Sequence, residues 1–509
     1  MRKFGFLAAF AFAVLAGASV WLGGLNQDEG WYLYAAQMLR DGHLPYRDFF
    51  FTQGPLLPNV YALLAPLWEG GGLLAARILT CAIGLVGILF AVVSARQLAP
   101  PGSRDVAGLI AFLLLGNNLY HVYYLSIPKT YALAALFSGA GYCLLAIALT
   151  DPQVRFRRAL AVLSGLTMAL STGARISLGA LLAVCGFALL FNFRRYRWMF
   201  LWFGIGGVAG LVSAYGPFVA DVGALEGLLA AQRYHAARAG FDPVFTVGSV
   251  SRLVRWYFPV FVLLGLAAYR RFVAGRDESG DDRRFALSLF AWGFAAVFAV
   301  QMLAPFPYED YQVPVMGLLA VVAAVACAKW TEEAGLAKGR SFFVLLALGL
   351  TWAGSFGSPL LEKWTTDGQD RFWTLKKEKS ELAQLRETAA IVEALDPGGR
   401  ELLTQDTYLA VETGRRVPGG LEMGPFSILS DGEWRALLES APCRIAALSG
   451  YTFAIDPPSC VERPLDRQLE YWTILRKRYE IVMREKRFGQ NATPLIILKR
   501  REEGGTDGK

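Results

Sequence analysis

Residues 23–59 read GGLNQDEGWYLYAAQMLRDGHLPYRDFFFTQGPLLPN. The stretch closes an apolar run, Phe4 to Leu25, and brings two adjacent acids, Asp28 and Glu29. A third acid, Asp48, follows inside the aromatic run YRDFFF. Asp28 can cap a helix whose first turn holds Glu29, because side-chain oxygens satisfy the unpaired N–H groups there and complement the helix dipole. From Trp31 the apolar positions recur at helical spacing through Tyr34, Ala35, Met38 and Leu39, and Gly42 follows as a stop. Trp31, Tyr32 and Tyr34 are the residue types of a membrane–water interface. The segment reads as a short helix lying flat on an outer membrane surface. GPLLPNVYALLAPLW, residues 54–68, reads as a second interfacial helix.

Outward from this loop the chain is apolar in blocks. Of 509 residues, 54% are hydrophobic and 18% charged, where soluble chains carry about 25% charged residues. The blocks run about 15–22 residues, enough to cross a hydrocarbon core roughly 30 Å thick. The first could be a secretory signal, but GASVWLGG is a poor small-x-small cleavage site and the run is long, so it reads as an uncleaved span. The net charge of +8 does not point to nucleic acid. Lys and Arg gather in short linkers between blocks, where orientation signals belong.

Those linkers predict a polytopic α-helical protein of about 11 transmembrane helices in the cytoplasmic (inner) membrane, its N-terminus cytoplasmic. The expected spans are 4–25, 71–95, 105–120, 130–149, two short ones meeting near Arg175, then 198–219, 256–269, 285–304, 313–328 and 341–357. Residues 358–509 are then left outside as a soluble domain. RELLTQDTYLAVETGRR, CRIAALSG, YEIVMREKRFG and TPLIILKRR hold strand-like runs among polar helical stretches, which suggests a small α/β domain. KKEKSELAQLRETAAIVEAL reads as the amphipathic helix that begins it. Cys443 and Cys460 lie in this part and could pair in an oxidising compartment. The three histidines, His43, His121 and His235, have no metal-ligand spacing.

Charges among aromatics at an interface are expensive unless used, which weighs against Asp28 and Glu29 being only a solvated cap. The order of features in DEGWYLYAAQMLRDGHLPYRDFFFTQGPLLP resembles the GT-C superfamily of membrane glycosyltransferases. The likeness is to the branch with protein mannosyltransferases and bacterial aminoarabinose transferases. In that branch an acidic pair follows the first span, then an interfacial helix, a Tyr-x-Asp-like element and a Pro-containing second interfacial helix. YEDYQVPVMGLLA resembles a late outer-loop element of the same superfamily. The likeness covers about the first 350 residues, so that 1–357 reads as a GT-C-like membrane domain with interfacial helices in its first outer loop, 25–70. Two departures stand out. Thr52-Gln53-Gly54-Pro55 occupies the place of an acidic-Lys-Pro stretch, and Lys129 stands in the second outer loop where an acid is often found.

The resemblance implies a polyprenyl-phosphate sugar donor and a glycan, lipid or protein acceptor outside the membrane. An inverting transfer needs a base for the acceptor hydroxyl. Asp28 is the candidate, with Glu29 or Asp48 orienting the acceptor or holding the base. If the acceptor is itself a phosphate, Asp28 would position it instead. The leaving phosphate gains charge and should meet cations. Arg175, Lys129 and Arg47 are the candidates, although Arg175 could equally be a snorkelling helix-end residue. Tyr308, Glu309 and Tyr311 would touch the sugar. No metal site is expected from spacing, and no cofactor is certain; a divalent cation bridging Asp28 to a phosphate is compatible with the resemblance. The competing reading is a transporter or flippase of lipid-linked glycan, against which stands the absence of an internal repeat.

Overall fold

The computed structural model describes residues 2–151, 153–237, 241–274, 281–304, 306–333, 337–369, 373–426, 429–450 and 465–501. The chain begins with α1 (Arg2–Leu22), followed by α2 (Gln27–Arg40), the short α3 (Leu56–Leu63) and α4 (Ala65–Trp68), and α5 (Gly72–Leu98). Next come α6 (Arg104–Gly116), α7 (Leu119–Tyr124), α8 (Thr130–Thr150), α9 (Arg157–Ala174), α10 (Gly179–Phe191) and α11 (Phe193–Ala220). Helices α12 (Val222–Ala237) and α13 (Pro243–Trp256) precede α14 (Phe258–Ala274), α15 (Asp281–Met302), α16 (Met316–Glu333) and α17 (Ala337–Phe356).

Each expected span coincides with one of these helices. Among the described residues, six helices are long and apolar enough to cross a membrane, or up to eight if each bent pair counts as one span, against the eleven expected. The short and bent members account for most of the difference. Helices α6 and α10 have 13 residues each, about 20 Å at the helical rise, which falls short of a roughly 30 Å core. Helices α13 and α14 meet at 83°. The chain is nonetheless a multi-pass membrane protein, with large apolar side chains such as Phe187, Phe191, Ile205 and Val208 exposed on α10 and α11. Close crossings replace hydrophobic burial between such helices. Gly165 on α9 lies against the Phe203 carbonyl and Gly206 on α11 against the Val162 carbonyl, where any Cβ would overlap backbone.

After α18 (Pro359–Thr365) the architecture changes. A hairpin of β1 (Thr366–Gln369) and β2 (Thr374–Lys376) leads to α19 (Glu381–Leu395), α20 (Thr407–Thr413) and α21 (Asp431–Ser440). Strand β3 (Ile445–Ser449), helix α22 (Leu465–Arg478) and strands β4 (Tyr479–Phe488) and β5 (Thr493–Arg500) complete a small antiparallel sheet of order β3-β5-β4. Three of the four strand-like runs are strands. The fourth, RELLTQDTYLAVETGRR, folds mainly as α20, flanked by isolated bridges from Glu401 to Arg416 and from Leu403 to Ala446. Its Asp406 and Thr407 start a helix, and Gly414 ends it in the left-handed region (φ 64°). Cys443 is buried; its expected partner, Cys460, lies outside the described residues.

This C-terminal region settles onto α2. Trp31 and Tyr34 are therefore covered, at 4% and 2% exposure, rather than spread on an open interface, while Tyr32, at 2%, packs against Phe51.

Candidate active site

Asn26 caps α2: its side chain accepts from the Asp28 N–H, and the Glu29 carboxylate reaches back to the Asn26 N–H. Helical geometry then sends the two neighbouring acids in different directions. Glu29 turns into the bundle. Its Oε2 accepts from Arg77 Nε at 2.7 Å and its Oε1 from Arg77 Nη2 at 2.6 Å, both side chains being fully buried. The remaining Arg77 N–H groups go to the carbonyls of Val20, Gly23 and Gly24. All five guanidinium donors are thus satisfied. The pair pins the link between α1 and α2 onto α5, and Glu29 is closed to any acceptor.

Asp28 faces the other way, toward the loop before α8. Its Oδ2 lies 2.8 Å from Lys129 Nζ, and the same ammonium lies 3.1 Å from Asp310 Oδ2. Tyr131 donates to Asp310 Oδ2 at 2.8 Å. Lys129 comes from the residue before α8, and Asp310 from the 3-10 turn Glu309–Val315 that leads into α16. Burial opposes the Lys129 charge, but Asp28, with Tyr131 and Asp310, more than offsets it and holds the ammonium well above the usual lysine range. Of the two acids, Asp28 is the more accessible, its side chain 22% exposed against 11% for Asp310.

Arg175 completes the cluster from the loop between α9 and α10. Its guanidinium carbon lies 4.5 Å from the centre of the Tyr311 ring and 5.0 Å from that of Tyr131, a cation–π arrangement. Nη1 donates to Thr130 Oγ1 at 3.3 Å. Among the described residues no carboxylate lies within ion-pair distance of it. Here is a half-buried cation that, among the described residues, lies against rings and a hydroxyl.

The other expected residues sit apart. Arg47 and Asp48 pair with each other through two contacts of 2.9 Å, and Arg47 also reaches Asp221 at 3.1 Å. Hydrogen bonds from Arg47 first, then from the Leu44 N–H, hold the Asp48 carboxyl down at about 2. This exposed network ties the loop between α2 and α3 to the start of α12, and among the described residues no ion pair joins it to Lys129. Tyr308 is exposed, and Glu309 pairs with Arg252 at 3.0 Å. Only Tyr311 of that trio borders the cluster. Asp310 and Tyr131 were missed by sequence reasoning. Asp310 stands between two residues that were singled out, and one acid in EDY could not be told from the other without the fold. Among the described residues no three His, Cys, Asp or Glu side chains gather as for a metal ion.

The fold is shared with a solved membrane-protein structure over its whole length. Among solved structures, ArnT from Cupriavidus metallidurans bound to undecaprenyl phosphate is similar at a TM-score of 0.63 and 14% identity, with 99% of each chain covered. Oligosaccharyltransferase from Archaeoglobus fulgidus is similar in two forms. The form tethered to an acceptor peptide gives a TM-score of 0.48 at 12% identity, over 98% of this chain and 74% of that one. The complex with an inhibitory peptide and a dolichol-phosphate gives 0.46 at 11%, over 88% and 70%. No family model and no curated protein matches the sequence.

Proposed function

We propose that the protein transfers a sugar from a polyprenyl-phosphate-linked donor to a glycan, lipid or protein on the outer face of the cytoplasmic membrane. In this reading the N-terminus is cytoplasmic, and the region beyond about residue 358 faces outward with the first loop. The observation that carries the reading is the convergence of Asp28, Lys129 and Arg175 from three separate loops. The undecaprenyl phosphate bound to the similar ArnT structure supports the lipid half of the donor.

The chemistry follows from the charges. The acceptor hydroxyl attacks the anomeric carbon while its proton passes to the Asp28 carboxylate. The bond from that carbon to the phosphate oxygen breaks, and its electron pair leaves with the polyprenyl phosphate. Inversion results. Arg175 meets the departing phosphate, because it is the cation with no carboxylate to give up. Lys129, shared by Asp28 and Asp310, fixes the direction of the Asp28 side chain. If the acceptor is a phosphate, no proton need be removed and Asp28 positions it. The Lys129 ammonium takes the space between the two acids.

Mass spectrometry of envelope glycans and lipids, with and without the protein, tests the proposal. A sugar should vanish on deletion and return with the wild-type chain, but not with Asp28→Asn inserted at the same level. Full restoration by Asp28→Asn would remove both roles given to Asp28. Translocation of a lipid-linked glycan in liposomes without bond cleavage would favour a flippase.

A further inference from the structure

The first turn of α2 is held by residues far beyond it in sequence. Between α1 and α2, four successive N–H groups, Leu25 to Asp28, precede the point where helical bonding can satisfy them. Asn26 and Glu29 take two of these N–H groups locally. The other two go to the C-terminal region. The Leu25 N–H donates to Glu381 Oε2 at 2.6 Å, and the Gln27 N–H donates to Gln490 Oε1 at 2.7 Å. Lys377 fixes the Glu381 carboxylate from the side at 3.0 Å.

The next turn is clamped rather than capped. A Cβ on Gly30 would overlap the Tyr408 backbone nitrogen and stand 2.5 Å from Thr407 Oγ1, so α2 and α20 meet backbone to backbone. Trp31 packs edge-on against Phe426, ring centres 5.1 Å apart, and the Tyr34 hydroxyl accepts from the Val417 N–H at 3.0 Å. With Glu29 locked to Arg77 on the bundle side, α2 is gripped between two bodies. The direction in which Asp28 points follows from that grip.

We infer that the C-terminal region is a positioning part of the active site, with Gly30, Glu381 and Gln490 seating Asp28 against Lys129. The inference rests on the role proposed for Asp28. It differs from a purely acceptor-recruiting role for the region, because its effect should appear at Asp28 itself with no acceptor present. Misplacing a reacting group by about 1 Å can cost about 10²-fold in rate.

The experiment uses the full-length protein in lipid nanodiscs. Carboxylates are labelled with a water-soluble carbodiimide and glycine ethyl ester and quantified by mass spectrometry, with exposed Asp48 as internal reference. Binding of undecaprenyl phosphate is measured in parallel. Gly30→Ala and the pair Glu381→Ala/Gln490→Ala should each raise Asp28 labelling several-fold relative to Asp48. Undecaprenyl phosphate binding should hold, and transfer should fall at least about tenfold. Glu381→Gln, which keeps an acceptor oxygen for the Leu25 N–H, should recover most of both losses when compared with Glu381→Ala. Should Gly30→Ala fail to fold, the capping variants carry the test alone. Wild-type labelling in every folded variant overturns the inference, whether transfer falls or not. Raised labelling in a protein that transfers no sugar would remove the proposed function and leave the positioning intact.

Discussion

Two charge clusters flank the first turn of α2, and they differ in how far they are closed. Around Glu29 everything is closed: one guanidinium, one carboxylate and three carbonyls consume every donor, and both side chains are fully buried. Around Asp28 the cluster stays open. One ammonium serves two carboxylates, and a second cation leans on tyrosine rings. Adjacent residues of the same chemical type thus fall to opposite uses. A saturated and fully enclosed cluster holds the fold, whereas an unsaturated one that keeps some exposure leaves charge for an incoming group. Unclaimed donors and access to solvent together separate the two.

The largest expected effect breaks the open side. Asp28→Asn should lower transfer by roughly 10²–10⁴-fold, the usual weight of a general base, with an unchanged size-exclusion profile and thermal midpoint. The closed side should respond in stability instead. Arg77→Met leaves Glu29 charged and alone, which should destabilise the protein by about 3–5 kcal/mol and appear as loss of monodisperse material. The double variant Glu29→Leu/Arg77→Met should recover much of that loss, because it removes both charges together.

Asp406 sharpens the comparison, being a buried acid with no cation partner among the described residues. Burial raises its carboxyl to about 6, against hydrogen bonds from Tyr408 and Ser449 that pull the other way. The folded protein therefore holds this proton more tightly than the unfolded chain. Stability should fall as pH rises from about 4 to about 6. Asp406→Asn should raise stability at pH 7.5 by up to about 3 kcal/mol, read as a higher thermal midpoint, and have little effect at pH 4. The smallest effect belongs to the exposed network. Asp48→Asn should leave transfer within about fivefold of wild type, as befits an exposed ion pair. Any contribution of Asp48 to stability is present above about pH 4 and lost only as pH falls through its folded value of about 2.

Much of the architecture was legible because span length and interfacial aromatics are local signals. The helix beginning at Gln27, its stop near Gly42 and the turn at Arg175 could be read from spacing and composition. The partners of Asp28 could not. Lys129 stands 101 residues downstream and Asp310 a further 181, and no periodicity links the three. Glu29 looked as available as Asp28, because only the fold reveals which of them Arg77 claims. Within the strand-like run RELLTQDTYLAVETGRR, the segment Thr407–Thr413 became α20 for a similar reason: it packs on α2, a partner nearly 380 positions earlier that no local propensity reflects.

The reach from Gln27 to Gln490 has a consequence for biogenesis. Glu381 lies 356 residues beyond Leu25 and Gln490 463 beyond Gln27, so the helix that bears Asp28 is translated well before both of its distant caps. A polypeptide released before they are made would enter the bilayer with its first-turn acid unseated.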